Sequence, residues 1–316
     1  MTQIAIINDY ADVARACAEW SRLPADVDLD IYNDHLSDEA EIAARLEPYE
    51  VVVAIRERTP ITQSLLDRLP NLKLLVTPGM RNAAIDLAGC AQAGITVCGT
   101  NPGRPATAEL AWLLILALTK KLIPEERGVR HGHWGVSMGI GLGGRTLGLL
   151  GLGKLGAKVA EVAQVFDMNV LAWSPNLTDQ RAAECGVRRV EFDQLLAESD
   201  VVSVHLVLGP RSEGLIGARE LALMKPDSYL INTARGPIVD EGALINALRE
   251  GRIGGAGLDV FDVEPLPLDH PFRTLDKVVI TPHLGGFVED SYKIWFPEVL
   301  EDIEAWLRGQ PVRVIS

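Results

Sequence analysis

The sequence contains little of what would place a protein in a special class. Only four of its 316 residues are cysteines, and no two of them form a CxxC pair. A chain of this length buries a core without disulfides, so we expect free thiols, as in a reducing cytoplasm. The six histidines are scattered, and their one close pair, in HGH at 131–133, lacks helical ligand spacing. No metal site is therefore predicted.

Long apolar runs and an excess of positive charge are also missing. The longest apolar run, LAWLLILAL at 110–118, is too short to cross a bilayer and predicts a helix packed in a core. The first residues, MTQIAIINDY, lack the basic region and long apolar stretch of a secretory signal. A formal net charge of −13 disfavours binding to nucleic acid or to an anionic membrane surface. These features predict a cytoplasmic protein with no membrane or nucleic-acid partner.

The chain does contain a regular alternation of apolar runs and helical patterns. The strands predicted in the first hundred residues are IAIIND, VVVAI, LKLLVT and ITVCGT, and helical patterns lie at 38–46 and 61–69. A helix over 106–121 is followed by the strand candidates TLGLLG, NVLAWS, VVSVHL, SYLINTA, GAGLDV and KVVITPH, and a helix over 288–308 comes last. This alternation predicts an α/β fold of parallel sheets covered by helices.

Two Gly/Pro-rich breaks are the best hinge candidates. They lie at 101–105 and 282–286. If the chain bends at both, residues 1–100 and 287–316 form one domain, and residues 101–286 form a second domain inserted into it. Two domains also suit the length of the chain.

The stretch TLGLLGLGKLGAKVAEVA carries a nucleotide-binding motif. It places Gly151, Gly153 and Gly156 in a G-x-G-x-x-G pattern between a predicted strand and a predicted helix. Gly151 permits a tight turn, Gly153 lets the backbone approach a pyrophosphate, and Gly156 lets helix and strand pack closely. The N–H groups of Lys154 and Leu155 at the helix N-terminus are then predicted to bind the anion. The alternative is that the glycines merely serve a tight turn.

The end of the next strand leaves the choice between NAD and NADP open. An Asp or Glu there would bind the ribose hydroxyls of NAD. Ser174 occupies the place, followed by Pro175 and Asn176. No carboxylate repels a 2′-phosphate, and no arginine follows that would attract one. The predicted cofactor is therefore NAD or NADP.

Three further residues lie at or just beyond the ends of predicted strands. They are Arg235 in NTARGPIVDEGAL, Glu264 in GLDVFDVEPLP and His283 in TPHLGG. Ligands of open α/β sheets bind at that edge. An arginine binds a carboxylate with two hydrogen bonds, a histidine exchanges a proton with a hydroxyl or carbonyl oxygen, and a glutamate orients the imidazole. Arg235 could instead pair with Asp240 or Glu241, and the other two could serve a turn and a loop.

These motifs resemble those of the D-isomer-specific 2-hydroxyacid dehydrogenase family. The likeness rests on GLGKLG, NTARGPIVDEGAL, GAGLDVFDVEPLP and ITPHLGG, and it covers nearly the whole chain. It implies two Rossmann-like domains, the cofactor domain being inserted into a discontinuous substrate domain, with the active site in the cleft between them. It also implies a homodimer joined through the cofactor domain. The implied reaction is hydride transfer between a nicotinamide cofactor and a small 2-keto acid or D-2-hydroxy acid, such as glyoxylate or hydroxypyruvate.

The resemblance also implies roles for single residues. Arg235 would bind the substrate carboxylate, His283 would be the acid/base, and Glu264 its partner. Asp259 would meet the nicotinamide carboxamide. Other positions implied at the cofactor are Thr107, Thr233, Ala234 and Gly285, and those implied at the substrate are Gly79 and Met80 in the loop TPGMRN.

Some positions depart from the family pattern, and a few others are candidates that the pattern does not include. Ser174 and Pro175 replace the usual aspartate, and Val207 stands where many members carry proline. Arg58, in the charged run RER, is a further candidate for facing the substrate. Packing or a place in the cofactor wall is expected for Trp134 and His205.

Two other functions are compatible with the same fold. Formate oxidation is disfavoured because that branch carries glutamine where Glu264 stands. A second possibility is an NAD(H)-sensing binding protein or co-regulator without significant turnover, since such proteins can keep the three residues. The compact, acidic chain has no long disordered tail, which argues against a co-regulator.

Overall fold

The computed structural model describes residues 2–104 and 106–316, which form two compact α/β units. The first unit comprises Met1–Pro105 and Phe287–Ser316, and the second comprises Ala106–Gly286. The second unit is thus inserted into the sequence of the first, and the predicted fold class is confirmed. Of the expected hinge at 101–105, Pro105 lies outside the described residues. The division follows residue 105, whereas the sequence predicted it after residue 100.

Strands and helices alternate along most of the described chain. The strands are β1 (Thr2–Ile7), β2 (Val27–Ile31), β3 (Val51–Ala54), β4 (Leu74–Thr77), β5 (Thr96–Gly99), β6 (Thr146–Leu150), β7 (Asn169–Trp173), β8 (Arg188–Arg189), β9 (Val201–Val204), β10 (Tyr229–Asn232), β11 (Gly255–Leu258) and β12 (Val278–Ile280). The helices are α1 (Ala14–Cys17), α2 (Glu39–Leu46), α3 (Gln63–Leu66), α4 (Leu87–Gln92), α5 (Thr107–Thr119), α6 (Leu122–Arg130), α7 (Lys154–Val165), α8 (Asp179–Glu184), α9 (Phe192–Glu198), α10 (Ala218–Leu223), α11 (Glu241–Arg249) and α12 (Glu289–Leu307).

The first unit contains a five-stranded parallel sheet in the order β2-β1-β3-β4-β5. All residues of β3 and β4 are buried, as expected for parallel strands that are covered on both faces. The last helix, α12, contributes Trp295, Phe296 and Val299 to the apolar cluster on one of these faces. Beyond α12 the chain returns to the sheet, where Val314 pairs with Cys98 of β5 in an antiparallel bridge.

The second unit contains a seven-stranded parallel sheet in the order β12-β11-β10-β9-β6-β7-β8. The run LAWLLILAL lies in α5, which is buried in the core on most sides. A search of the described residues finds no helix that is both long and apolar enough to cross a membrane. Strand order reverses between β6 and β9, and in such sheets the crevice beyond the carboxyl ends at the reversal binds ligands. The glycine motif directly follows β6.

Candidate active site

The three residues predicted to carry the chemistry follow three neighbouring strands of the second unit. Arg235 lies beyond β10, Glu264 beyond β11 and His283 beyond β12, and these strands are adjacent in the sheet. Because all three strands are parallel, their carboxyl ends meet at one edge. The sheet order therefore brings to one edge residues that lie 48 positions apart in sequence, from 235 to 283.

His283 and Glu264 are in direct contact. The imidazole Nδ1 lies 2.7 Å from Oε2 of Glu264, and the two side chains are 36% and 31% exposed. The other carboxylate oxygen, Oε1, accepts the backbone N–H of Phe261 at 2.9 Å. Both oxygens of Glu264 are thus hydrogen-bonded, which fixes the plane of the carboxylate. The result is a partly exposed imidazole whose second nitrogen, Nε2, faces away from the glutamate.

Asp259 holds the segment that carries His283. Its carboxylate is 1% exposed and accepts the Thr281 hydroxyl at 2.6 Å and the N–H groups of Leu284 at 2.7 Å and Gly285 at 3.0 Å. Burial raises the pKa of Asp259, and the hydrogen bonds it accepts oppose that rise. These contacts assign Asp259 a local structural role, whereas its contact with a nicotinamide carboxamide stays a prediction.

Thr107 also holds this segment, through the carbonyl of Gly285. It opens α5, and its hydroxyl donates to the carbonyl of Gly285 at 3.0 Å. A Cβ at Gly285 would lie 3.0 Å from the Thr107 hydroxyl and 3.3 Å from an Asp259 carboxylate oxygen. Gly285 is therefore required for close packing here, while contacts of Thr107 and Gly285 with a cofactor remain predictions.

Arg235 stands on a turn that Asn232 builds. The Asn232 side chain accepts the N–H of Ala234 at 3.0 Å and donates to the carbonyl of Arg235 at 2.9 Å. The Arg235 guanidinium donates to the Ala234 carbonyl at 2.7 Å. Asp240, one alternative partner, accepts the N–H of Ala243 at the start of α11. The turn therefore fixes the base of a half-buried arginine at the sheet edge.

The glycine loop has the shape of a phosphate cradle. Gly151 has φ of 106°, and a Cβ there would lie 2.7 Å from the carbonyl oxygen of His205. A Cβ at Gly156 would lie 2.1 Å from the Gly151 oxygen, so helix and strand meet backbone to backbone. At Gly153 a Cβ would meet nothing within 4 Å, which leaves open space in front of the loop. The first N–H groups of α7, including that of Lys154, donate to no acceptor in the described chain, as a bound anion requires.

A buried hydroxyl at the other end of the crevice also suits a cofactor. Oγ1 of Thr233 is buried without a hydrogen-bond partner among the described residues, directly beyond β10. A carboxamide would supply both a donor and an acceptor for such a group. The residues present therefore fit a nicotinamide dinucleotide at both ends.

The region around Ser174, which is predicted to face the adenine ribose, contains charged residues that the sequence analysis did not identify. Ser174 is half-buried, and Pro175 and Asn176 are exposed. The short strand β8 pairs with β7 and brings Arg189 beside it, opposite Ala172. Arg189 lies 3.3 Å from an Asp179 oxygen and 3.8 Å from a Glu191 oxygen. An arginine is thus present on the neighbouring strand, though its charge is shared with two carboxylates.

His205 forms part of the wall behind the glycine loop. Its Nε2 lies 2.9 Å from the hydroxyl of Ser203, and burial lowers its pKa to about 4. It is therefore neutral near pH 7, and its backbone packs on Gly151. The expectation that Trp134 packs in the protein is wrong for this chain, because its side chain is 91% exposed.

The residues predicted to bind substrate from the first domain lie in the first unit. Gly79 has φ of 87°, and its N–H already donates to the Thr100 hydroxyl at 2.9 Å. The N–H of Met80, which is 44% exposed, donates to no acceptor in the described chain. Met80 is therefore the better of the two predicted donors.

Arg58 is engaged within the first unit. Its guanidinium donates to the Asn8 carbonyl at 2.6 Å and lies 4.6 Å from the Tyr10 ring centre and 5.3 Å from that of Phe287. These contacts hold the loop after β1 and the start of the returning segment. A contact between Arg58 and substrate stays a prediction.

Sequence reasoning missed a second histidine–glutamate pair. His270 Nε2 lies 2.8 Å from Oε1 of Glu241, at the start of α11. The two residues are 29 positions apart, and the sequence offered Glu241 only as an alternative partner for Arg235. The one available signal was that Glu241 lies within one motif already singled out, NTARGPIVDEGAL, and that His270 follows another, GLDVFDVEPLP, by three residues.

Comparisons with known proteins match this architecture. The family model described as "D-isomer specific 2-hydroxyacid dehydrogenase, NAD binding domain" matches residues 112–285. A glyoxylate reductase from Thermococcus litoralis is 37% identical over 261 residues, which cover 79% of this chain and 78% of that protein. A D-3-phosphoglycerate dehydrogenase from Archaeoglobus fulgidus is 37% identical over 276 residues, which cover 86% of this chain and 52% of that protein.

A solved structure extends the match to nearly the whole chain. The phosphoglycerate oxidoreductase from Vibrio cholerae o395 has a TM-score of 0.91 and 38% identity, with 98% of this chain and 100% of that chain covered. The chain spans about half the length of the matching phosphoglycerate dehydrogenases, at 50–52%, and 76–90% of the glyoxylate reductases. With the glycine loop and the strand-end residues in the family's order, the chain belongs to the D-isomer-specific 2-hydroxyacid dehydrogenase family.

Proposed function

We propose that this protein is a nicotinamide-dependent oxidoreductase that interconverts a small 2-keto acid and the corresponding D-2-hydroxy acid. The 2.7 Å contact between His283 and Glu264, at the same sheet edge as Arg235, is the observation that carries the proposal. Glyoxylate and hydroxypyruvate are the proposed substrates, and the glyoxylate reductases, which this chain matches over 78–90% of their length, support the choice.

His283 is proposed to exchange the proton through Nε2. A carboxylate can only accept hydrogen bonds, so Nδ1 of His283 carries the hydrogen that Glu264 receives. That fixes the tautomer and leaves Nε2 to give a proton to the keto oxygen or to take one from the hydroxyl. Glu264 also stabilises the protonated imidazole, which reduction of the keto acid requires.

Arg235 is proposed to bind the substrate carboxylate. Its planar guanidinium can form two parallel hydrogen bonds to a carboxylate, which would orient the adjacent carbonyl. The Asn232 turn fixes the backbone from which the side chain extends. Gly236, directly after it, packs so closely on Phe261 that a Cβ would lie 2.1 Å from the Phe261 carbonyl carbon.

The cofactor is proposed to lie between the glycine loop and Thr233. When bound, a nicotinamide dinucleotide supplies or accepts the hydride. The N–H groups at the start of α7 would bind its pyrophosphate, and Ser174 would meet the adenine ribose. Thr233, Ala234 and Asp259 are proposed for the nicotinamide end.

The protein is further proposed to act as a cytoplasmic homodimer. The stretch from α5 to residue 138 of the second unit exposes an unusual amount of apolar surface, including Leu113 at 50%, Leu122 at 48%, Trp134 at 91% and Met138 at 90%. A second copy of the chain would cover it. All four cysteines are free, which suits a reducing compartment.

Replacing Arg235 tests the proposed function most directly. Truncating one partner of a buried charge pair costs roughly 2–5 kcal/mol, so Arg235→Ala should lower kcat/KM for glyoxylate and hydroxypyruvate by about 30- to 4,000-fold. Arg235→Lys should restore only part of it, because lysine lacks the planar fork. Binding of NADH or NADPH, measured by fluorescence titration, should barely change.

The matched control is Arg249→Ala, which removes an exposed arginine from the end of α11. If the wild-type protein turns over no 2-keto acid of a broad panel, the proposed activity is wrong. If the wild-type protein does reduce a 2-keto acid and Arg235→Ala retains near-normal kcat/KM for it, the activity stands and the role of Arg235 is wrong.

A further inference from the structure

Two glutamates bind consecutive backbone N–H groups just beyond β11. Glu264 accepts the N–H of Phe261 at 2.9 Å, and Glu241 accepts that of Asp262 at 3.4 Å, a longer bond. Each glutamate uses its other oxygen for an imidazole, that of His283 at 2.7 Å and that of His270 at 2.8 Å. The two histidine–glutamate pairs are therefore joined through Phe261, whose own N–H binds Glu264 and whose peptide bond to Asp262 carries the N–H that binds Glu241.

The tautomer of His270 is set by its neighbours. Its Nδ1 accepts the backbone N–H of Phe272 at 3.3 Å, so that nitrogen carries no hydrogen. Nε2 must then be the protonated nitrogen, and it donates to Glu241. Glu241 thus receives two hydrogen bonds, one on each oxygen. Glutamine, with one acceptor oxygen, could keep only one of them in the same geometry.

The Phe261–Asp262 peptide is confined on its other side by Gly236. A Cβ on Gly236 would lie 2.1 Å from the Phe261 carbonyl carbon and 2.6 Å from the Asp262 nitrogen. The peptide therefore packs against the residue that follows Arg235, and its N–H is hydrogen-bonded by Glu241. A displacement of this peptide would move Phe261, whose own N–H binds the Glu264 carboxylate.

Several charges lie around Glu241. It stands in the first turn of α11, where a negative charge is stabilised by the helix dipole. Asp240 caps the same helix. Burial raises the pKa of the Asp262 side chain, with Glu241 and Asp240 adding to the rise and His270 opposing it. His270 donates a hydrogen bond to this acidic set through Glu241, and the His270 and Glu241 side chains are only 13% and 21% exposed.

We propose that Glu241 and His270 form a positioning pair, which fixes the segment 261–270 so that the Glu264 carboxylate stays aligned with His283. The proposal rests on the proposed function, since it assigns the pair a role in the same acid/base chemistry. A second anchor acts farther along this segment, where Arg273 donates to the carbonyls of Leu266 at 2.6 Å and Pro267 at 2.7 Å. Glu241 itself holds both ends of the segment, the start through the Asp262 N–H and the end through the His270 imidazole.

The test compares Glu241→Ala with Glu264→Gln in steady-state reduction of hydroxypyruvate by NADH or NADPH, over a range of pH. Misplacement of a reacting group by about 1 Å can cost about 100-fold, so we expect Glu241→Ala to lower kcat by about 10- to 100-fold. Its KM and its cofactor affinity should change by less than about threefold, because neither the carboxylate arginine nor the glycine loop is altered. The fall of kcat at high pH should move to lower pH, in the direction that Glu264→Gln also produces.

Graded variants separate positioning from a loss of folding. His270→Gln retains a donor for Glu241 and should keep most of the activity, whereas His270→Ala should resemble Glu241→Ala. Glu250→Ala, at the other end of α11, is the matched control, because it removes an exposed glutamate that forms an ion pair with Arg252. If Glu241→Ala does not fold, Glu241→Gln is measured in its place, with a smaller shift in the same direction expected.

A double variant identifies the route of the effect. If Glu241 acts through Glu264, then Glu241→Ala should cost little more once Glu264 is already Gln, because effects of coupled residues do not add. Full additivity, or an unchanged pH profile in Glu241→Ala and Glu241→Gln, would overturn the proposal. An unchanged profile in Glu264→Gln itself would instead count against the proposed acid/base function.

Discussion

His283 illustrates how single residues are strained and supported at this site. Its φ of 54° lies in the left-handed region, which residues other than glycine seldom adopt. Its N–H donates to the Asp259 carbonyl at 2.9 Å, and the Asp259 carboxylate binds the two N–H groups that follow. Strained backbone persists only where its surroundings determine it, and it is concentrated at functional sites. Asp259 therefore supplies the local structure that makes the His283 position possible.

A single side chain, that of Ser174, is predicted to influence cofactor preference. Because serine presents no charge to a 2′-phosphate, we expect the wild-type protein to accept NADPH as well as NADH. Ser174→Asp should lower kcat/KM with NADPH by about tenfold or more relative to NADH, through like-charge repulsion and competition for the ribose hydroxyls. Steady-state kinetics with both cofactors measures the change.

Gln180→Asp is the control for Ser174→Asp, since it adds the same charge on exposed α8. It should leave the ratio of NADPH to NADH activity nearly unchanged. A wild-type enzyme that already rejects NADPH by several orders of magnitude would contradict the expectation. In that case the charge of Arg189 is neutralised by Asp179 and Glu191 too completely to serve a phosphate.

At the scale of elements, the sequence predicted every strand inside the two sheets and missed two of the four edge strands, β2 and β8. β3 is a continuous apolar run, and β4 and β9 are apolar except for one small polar residue each, so composition alone identifies them. β2, VDLDI, alternates apolar and acidic residues at the edge of its sheet, and β8 consists of two exposed arginines. Their pairing with a neighbouring strand stabilises them, and a single-sequence pattern does not contain that information.

The same reasoning explains how much of the site was predictable. Arg235, Glu264 and His283 could be associated because each follows a predicted strand, and the ends of parallel strands converge. Glu241 lies at the start of a helix and His270 lies in a loop. The rule that the ends of parallel strands meet at one edge applies to neither position. Only the folded path of the segment 261–270 brings them together.

The C-terminal segment is an element that depends on one buried ion pair. Arg313 donates to Asp302 of α12 at 3.0 Å and to the Glu298 carbonyl at 2.8 Å. The adjoining residues bond to β5, with the Ile315 N–H reaching the Val97 carbonyl at 2.7 Å. Asp302 is fully buried, and one of its oxygens has no partner in the described chain. Burial raises the pKa of Asp302 to about 7, despite the opposing effect of Arg313.

This raised pKa predicts how stability depends on pH. The folded state holds the Asp302 proton up to about pH 7, whereas the unfolded chain loses it near the ordinary aspartate pKa of 3.8. The folded state therefore binds more protons in this window, and the Asp302 contribution to stability falls as pH rises from about 4 to about 7. The loss is at most about 4 kcal/mol, from three units at about 1.4 kcal/mol each.

Asp302→Asn should remove that dependence. The wild-type Tm should fall relative to that of Asp302→Asn between pH 5 and pH 8, as measured by thermal unfolding monitored by circular dichroism. Glu301→Gln is the control, because Glu301 pairs with the same arginine from an exposed position. A Tm difference that stays constant from pH 5 to pH 8 would show that Arg313 keeps Asp302 ionised throughout.

At the scale of the whole molecule, the exposed apolar side chains of the second unit predict association of two copies. An acidic chain with a net charge of −13 repels copies of itself unless an apolar surface offsets the charge. The stretch from Leu113 to Met138 supplies such a surface, and Trp134 contributes most to it. We expect sedimentation velocity of the wild-type protein to give twice the chain mass of 34.3 kDa.

Charge placed on that surface should separate the copies. Trp134→Lys combined with Met138→Lys should shift the sedimenting mass to that of one chain, because buried, unpaired ammonium groups oppose association. Val165→Lys is the matched control, since Val165 is 78% exposed on α7, outside this stretch, and its replacement should leave the dimer intact. If the wild-type protein sediments as a single chain at micromolar concentration, the proposed dimer is wrong. If the double variant remains dimeric, the interface lies elsewhere.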